Sequence, residues 1–185
     1  MGSCDGRVAL ITGSSRGIGR ATATRFAAEG ASVVLSASRL GSHGSLVGTL
    51  EEAVSEIQAA GGKAAAIAAD LRDPEARAGI VERASEFFGP VDILVNNAAS
   101  SVMKLPSEVT SEERSMMFEV NVNAPMDLSQ QALPSMRAKG EGWILNITSA
   151  TSTQPTLPYR AGKTCLLYTS PSPRDQRGSR MPSSA

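Results

Sequence analysis

The run Thr12-Gly13-Ser14-Ser15-Arg16-Gly17-Ile18-Gly19 spaces its glycines so that backbone can approach a diphosphate closely. If a helix starts within it, the first N–H groups lack intrahelical acceptors and carry the positive end of the helix dipole, so together they bind an anion. Glycine also marks ordinary turns. The anion reading therefore depends on a strand entering the turn and a helix leaving it. A second cue is Leu35-Ser36-Ala37-Ser38-Arg39, at the end of another apolar run. An acid there would accept both ribose hydroxyls of NAD, whereas a base would pair with the additional phosphate of NADP. No acid is present. Ser38 and Arg39, with Arg16 from the glycine turn, point to NADP rather than NAD, although each arginine alone reads equally well as a solvated surface residue.

The elements needed to hold these residues follow from periodicity. Apolar runs of strand length alternate with stretches of helical spacing, the pattern of a parallel sheet with crossover helices. The expected strands are 8–12, 32–37, 63–69, 91–96 and 142–148, and the expected helices are 17–29, 46–60, one from Asp73-Pro74 to about 89, and one from Ser107 or Ser111 to about 140. Asp caps a helix and Pro suits its first turn, while Gly30, Gly61 and Gly140 suit the ends. The result is an α/β, doubly wound parallel sheet, Rossmann-like, whose ligands bind beyond the carboxyl ends of the strands. The glycine turn falls there.

Composition narrows the function. The chain has 185 residues, and its 18 basic residues balance 18 acidic ones, so no net field would draw it to nucleic acid or an anionic membrane. No apolar run has the roughly 18 residues of a membrane span, and none near Met1 has signal-peptide length. Two cysteines, Cys4 and Cys165, support neither a disulfide framework nor a zinc site. The expectation is one domain, cytoplasmic, without a metal, acting on a small molecule. Asn146-Ile147-Thr148 has the glycosylation spacing but ends an apolar run, and His43 lies in a polar loop; neither is read as functional.

The spacing Thr-Gly-x-x-x-Gly-x-Gly resembles the short-chain dehydrogenase/reductase family, and the likeness extends over most of residues 7–149. Asn96-Asn97-Ala98-Ala99 is similar to its Asn-Asn-Ala-Gly, with Ala99 in place of glycine; Asp70-Leu71 matches its adenine-contacting pair, and Val120-Asn121-Val122 the segment bearing its catalytic asparagine. The resemblance implies hydride transfer between a nicotinamide cofactor and a carbonyl or hydroxyl carbon, by a homo-oligomeric parent. It assigns Gly13, Ser15, Arg16, Gly17, Ile18, Gly19, Ser38, Arg39, Asp70, Leu71, Asn97 and Ala98 to the cofactor. It assigns Asn121, Ser149, Tyr159 and Lys163 to catalysis. In the family a tyrosine exchanges the proton, a lysine four residues on lowers its pKa and holds the ribose, a serine bonds the substrate oxygen, and an asparagine anchors a relay water. Such tuning is needed because a free phenol, with a pKa of about 10, is a poor base at neutral pH.

Two readings of Tyr159 and Lys163 stay open. Their spacing fits, but the interval from Ser149 is short for the family, Arg160 and Gly162 are unusual within the motif, and a Pro-Tyr pair such as Pro158-Tyr159 precedes the true tyrosine in relatives with a longer loop. Beyond Thr164 the chain loses periodicity and becomes rich in serine and proline. Written back into codons, residues 165–175 and 179–185 resemble a transposase adapter of short-read sequencing libraries. The expected organisation is thus a partial oxidoreductase domain, 1–164, followed by a non-native tail, 165–185, with the fragment itself inactive. Gly162-Lys163-Thr164 is not a P-loop, because Leu157 stands where its first glycine belongs. The remaining alternative is a module that binds the dinucleotide as a redox sensor without catalysis.

Overall fold

The computed structural model describes residues 2–41, 47–102, 104 and 106–148. Five parallel strands form one sheet: β1 (Val8–Thr12), β2 (Ser32–Ala37), β3 (Lys63–Ala68), β4 (Ile93–Asn96) and β5 (Trp143–Asn146), in the order β3-β2-β1-β4-β5. The chain winds outward from β1 to β3, then crosses back to place β4 on the other side of β1. That reversal opens a crevice beyond the carboxyl ends of β1 and β4. The helices are α1 (Gly17–Ala28), α2 (Leu50–Ala59), α3 (Pro74–Arg77), α4 (Ile80–Phe88), α5 (Ser111–Phe118) and α6 (Ala124–Lys139).

Side chains alternate across a strand, so β1 feeds both layers of the core. Ala9 and Ile11 pack with Val33, Leu35, Leu50 and Ile57 on the face covered by α1 and α2. Val8 and Leu10 pack with Val34, Ile80, Leu94 and Leu128 on the face covered by α4 and α6. All five residues of β1 are buried, which is why it reads as a continuous apolar run rather than an alternating one.

The helix boundaries depart from the sequence expectation where side chains set them. α2 begins at Leu50 and not at 46, because Thr49 and Glu52 form a capping box: the Glu52 N–H donates to Thr49 Oγ1 at 3.0 Å and the Thr49 N–H to Glu52 Oε2 at 3.1 Å. Thr110 and Glu113 do the same for α5, which settles its start at Ser111. The helix expected from Pro74 to about 89 is two helices. Gly79 turns left-handed, at φ +68°, and interrupts it. Gln131 of α6 fills the break, its amide donating to the Arg77 carbonyl at 3.1 Å while its oxygen accepts the Val81 N–H at 3.4 Å. The long helix is divided too, by a π-turn at Glu119–Asn123 between α5 and α6.

At the amino ends of the strands, Asp92 joins three of them. It is 3% exposed, and its Oδ2 accepts the Val8 N–H at 2.9 Å while Oδ1 accepts Lys139 Nζ at 2.5 Å. Its own backbone donates to the Val8 carbonyl and accepts from Trp143, each at 2.9 Å. Asp92→Ala should therefore cost about 3 kcal/mol, because it strands a buried N–H and unpairs a lysine. Urea denaturation at neutral pH checks this, and a change below about 0.5 kcal/mol would contradict the role given to Asp92.

Candidate functional site

A cleft of about 490 Å³ opens where the switch in strand order predicts it. Gly13, Ser15 and Arg16 come to it from the turn after β1, Ser38 and Arg39 from the end of β2, Asp70 and Leu71 from the end of β3, and Asn97 and Ala98 from the end of β4. The structure thus brings together nine of the twelve residues assigned to a cofactor. The other three, Gly17, Ile18 and Gly19, form the first turn of α1.

The turn after β1 is held by hydroxyls. Thr12 Oγ1 accepts the N–H groups of Asn97 and Ala98, each at 3.0 Å, and donates to the Val95 carbonyl at 3.3 Å. Asn97 Nδ2 donates back to the carbonyls of Thr12 and Gly13, at 2.9 and 3.0 Å. Ser14, wholly buried, donates to the Ile11 carbonyl at 2.8 Å and accepts the Ser36 N–H at 2.9 Å, tying the turn to β2. Ser14 falls on an unspecified position of the glycine motif, since a hydroxyl near a strand end is unremarkable until its partners are known. The Asn97 side chain faces these carbonyls, so it acts on the site by fixing the turn.

Two glycines are required by close approach. A Cβ on Gly13 would lie 2.8 Å from the Ala98 Cα, and one on Gly19 would lie 2.5 Å from both Asn97 Nδ2 and the Gly13 oxygen. Gly17, at φ +57°, starts α1, and nothing lies within 4 Å of where its Cβ would be. No side chain caps α1 and no acid stands in its first turn. Among the described residues, no side-chain cap and no first-turn acid therefore answers its N-terminal dipole. Beside it, Arg16 Nη1 is buried and has no hydrogen-bond partner among the described residues.

Charge on the rim is uneven. Arg16, Arg39 and Arg72 line the cleft with a single acid, Asp70, which leaves a surplus of two positive charges among the described residues. Hydrogen bonds from the Arg72 side chain hold the Asp70 carboxyl below the usual aspartate range; partial burial opposes this, and the Arg72 N–H and the charge of Arg39 assist it.

Asn121 is fully buried in the π-turn, where its amide pairs both ways with one residue: Nδ2 donates to the Ser100 carbonyl at 2.7 Å and Oδ1 accepts the Ser100 N–H at 3.0 Å. The side chain is thereby committed, and what it leaves for a relay is main chain. π-turns of this kind are frequent at functional sites. Arg77, 4% exposed, stabilises the segment, with Nη1 on Glu119 Oε2 at 2.7 Å and Nε on Asp127 Oδ2 at 2.6 Å. The same Nη1 donates to the Leu71 carbonyl at 3.0 Å, so one arginine connects the β3 end of the cleft to the turn bearing Asn121. Ser149, Tyr159, Lys163 and His43 lie outside the described residues. Among the described residues no group of three or more His, Cys, Asp or Glu side chains is placed to hold a metal ion, and no helix is long and apolar enough to cross a membrane.

Comparison with known proteins agrees with this geometry. A family model described as short chain dehydrogenase matches residues 7–167. Hydroxysteroid dehydrogenase-like protein 2 of Bos taurus is 37% identical over 154 residues, which is 83% of this chain and 37% of that protein. The chain therefore spans little more than a third of the length of that relative. Among solved structures, a metagenomic short-chain oxidoreductase in complex with NADP superposes with a TM-score of 0.82 at 35% identity, covering 90% of this chain and 74% of the other. A 3-oxoacyl (acyl-carrier-protein) reductase from Agrobacterium tumefaciens C58 with NADP bound gives 0.78 at 35% identity, covering 87% and 60%.

The Arg77 contacts make stability depend on pH. The hydrogen bond from Arg77 holds the Glu119 carboxyl below its ordinary 4.5; burial opposes this and Asn123 reinforces it. A depressed folded pKa contributes stability that is full above the unfolded value and is lost as pH falls through the folded one. Glu119→Gln should therefore lower the denaturation midpoint at pH 7 and make its decline below about pH 4.5 shallower than in the unsubstituted chain. Parallel stability profiles for the two proteins would exclude this role for Glu119.

Proposed function

The chain belongs to the short-chain dehydrogenase family, and from that premise we propose that its full-length parent transfers hydride between NADP(H) and the carbonyl or hydroxyl carbon of a small molecule, the fragment itself being inactive. The observation that carries the proposal is the buried, unpartnered Arg16 Nη1 beside an uncapped α1, in a cleft with two surplus positive charges. A buried donor without an acceptor costs about 1–3 kcal/mol, which a phosphate oxygen would recover. An isolated surplus of positive charge is likewise answered by the nearly dianionic 2′-phosphate that distinguishes NADP from NAD. NADP in the similar metagenomic and Agrobacterium structures is consistent with this choice.

In this reading the N–H groups of Gly17, Ile18 and Gly19 receive the pyrophosphate, with Gly13 and Ser15 forming the floor beneath it. Arg16, Ser38 and Arg39 hold the 2′-phosphate, and Asp70 and Leu71 border the adenine. Asn97 and Ala98 keep the turn in place through Thr12. The nicotinamide, when bound, supplies or accepts the hydride. Tyr159 then exchanges a proton with the substrate oxygen, Ser149 hydrogen-bonds that oxygen, and Lys163 favours the phenolate while steadying the ribose. Asn121 supports the proton relay from the π-turn. The proposal places the protein in the cytoplasm, as a homo-oligomer acting on a small carbonyl or alcohol.

Calorimetric titration of the full-length parent tests the cofactor choice, and its kinetics test the catalytic assignment, because the fragment itself is expected to be inactive. NADPH should bind at least about tenfold more tightly than NADH, or about 1.4 kcal/mol, and Arg39→Asp should narrow or reverse that ratio. Equal affinities would count against the NADP assignment. For the catalytic assignment, Tyr159→Phe should lower kcat about a hundredfold or more with cofactor affinity unchanged. An unaltered kcat would remove Tyr159 from the mechanism, and tight binding without turnover on any carbonyl would favour the redox-sensing alternative.

A further inference from the structure

We propose that Arg77 is a positioning residue for Asn121: by holding both flanks of the π-turn at once, it keeps that asparagine locked on Ser100 at the edge of the cleft. The inference rests on the hydride-transfer reading above. It adds a residue that no motif singles out and that is not among those lining the cleft.

Ser100 and Val120 both line the cleft, so the π-turn Glu119–Asn123 meets the site there. A π-turn fits one extra residue into a helix, and a regular helix is the usual alternative. Each residue of a regular helix advances by about 100°. Losing the extra residue would therefore turn one flank against the other by about that angle, and Asn121 would leave Ser100. The π form must be selected from outside the segment.

Arg77 supplies that selection. Its Nη1 donates to Oε2 of Glu119, the first residue of the turn, at 2.7 Å, and its Nε donates to Oδ2 of Asp127, in the first turn of α6, at 2.6 Å. The other Glu119 oxygen accepts Nδ2 of Asn123, the last residue of the turn, at 2.8 Å. One guanidinium thus spans the turn from flank to flank, and one carboxylate joins its two ends. The arginine cannot follow a rotation of the flanks, because its backbone N–H donates to the Asp73 carbonyl at 3.1 Å and its carbonyl accepts Gln131 Nε2 at 3.1 Å. Nη1 is anchored further by the Leu71 carbonyl, at 3.0 Å.

The type of cation matters. Nε and Nη1 are separate donors in a rigid plane, so they reach two acids at once, whereas the donors of an ammonium radiate from a single nitrogen. Arg77 is nearly buried, but the side chains of Glu119 and Asp127 are 31% and 42% exposed. When the arginine is replaced, both acids can turn into water rather than stay buried and unpaired. The fold then survives while the lock opens.

Hydrogen exchange and kinetics on the full-length parent test this. The Ser100 N–H, which donates to Asn121 Oδ1, reports the lock; the N–H groups of Asn97 and Ala98, which donate to Thr12 Oγ1, are the internal control. Arg77→Lys and Arg77→Met should each speed exchange at Ser100 about tenfold or more and leave Asn97 and Ala98 within about twofold. In the same variants kcat should fall about tenfold with the Kd for NADPH unchanged. Should neither variant fold, Asp127→Asn, which releases only the far flank, should speed Ser100 exchange about threefold. Unchanged exchange at Ser100 overturns the proposal, as does an equal rise at all three amides, which would make Arg77 a general stabiliser. Protection retained in Arg77→Lys overturns the spanning fork, and an unchanged kcat with Ser100 loosened overturns the positioning role. A parent without turnover on any carbonyl removes the hydride-transfer reading instead, and the exchange ratio alone then decides whether Arg77 holds Asn121.

Discussion

The distance between the turn after β1 and the backbone at the end of β4 governs the site. At Gly13 and Gly19 that distance leaves no room for a Cβ, and between them Thr12 and Asn97 exchange hydrogen bonds that lock the two segments together. Parallel strands do not by themselves fix the loops at their carboxyl ends. Here the loops are fixed because one threonine hydroxyl satisfies two backbone N–H groups, and one asparagine amide satisfies two carbonyls. With the turn pinned, α1 must begin at Gly17, and its dipole and Arg16 point at the same crevice. The glycines are thus needed first for packing. The approach of a phosphate follows from where that packing places α1.

This constraint explains why so much of the fold is legible in the residues and why some of it is not. A strand buried on both faces reads as a continuous apolar run, so β1, β2 and β4 stand out, and the alternation with helical spacing leaves few topologies. The glycine spacing, Asp70 and the Asn96-Asn97 pair then mark the cleft, because they lie at the carboxyl ends of β1, β3 and β4. The division of the expected 74–89 helix is of a different kind. Gly79 inside a helical pattern is ambiguous, and what resolves it is Gln131, far along the chain, occupying the break. The π-turn is equally hidden, since its local sequence is compatible with a regular helix and Arg77 acts on it from another element. Ser149, Tyr159 and Lys163 rest on motif spacing alone.

Polar burial in this structure has a consistent direction. At the amino ends of the strands Asp92 is answered by Val8 and Lys139, and Arg7 by Glu141, with both bonds at 2.7 Å and the guanidinium 4.7 Å from the Trp143 ring. At the carboxyl ends Arg16 Nη1 has no partner among the described residues, and α1 has no side-chain cap. A protein under selection for stability alone would cap α1 as it caps α2 and α5, which gains about 1 kcal/mol for a serine or aspartate at the cap position. Leaving it uncapped, beside a buried guanidinium nitrogen with no acceptor, places the unsatisfied donors where an anion would complete them.

Arg77 shows how the two ends of such a cleft become mechanically related. It touches the Leu71 carbonyl at the β3 end and Glu119 in the π-turn, and its own backbone carbonyl is held by Gln131. Because the guanidinium is rigid and nearly buried, a shift of the β3 loop cannot be absorbed by the arginine alone; it displaces Glu119 or breaks an ion pair. The amide of Asn121 has no slack either, being bonded in both directions to Ser100. The β3 end of the cleft and the segment that carries Asn121 are thereby tied together through one side chain.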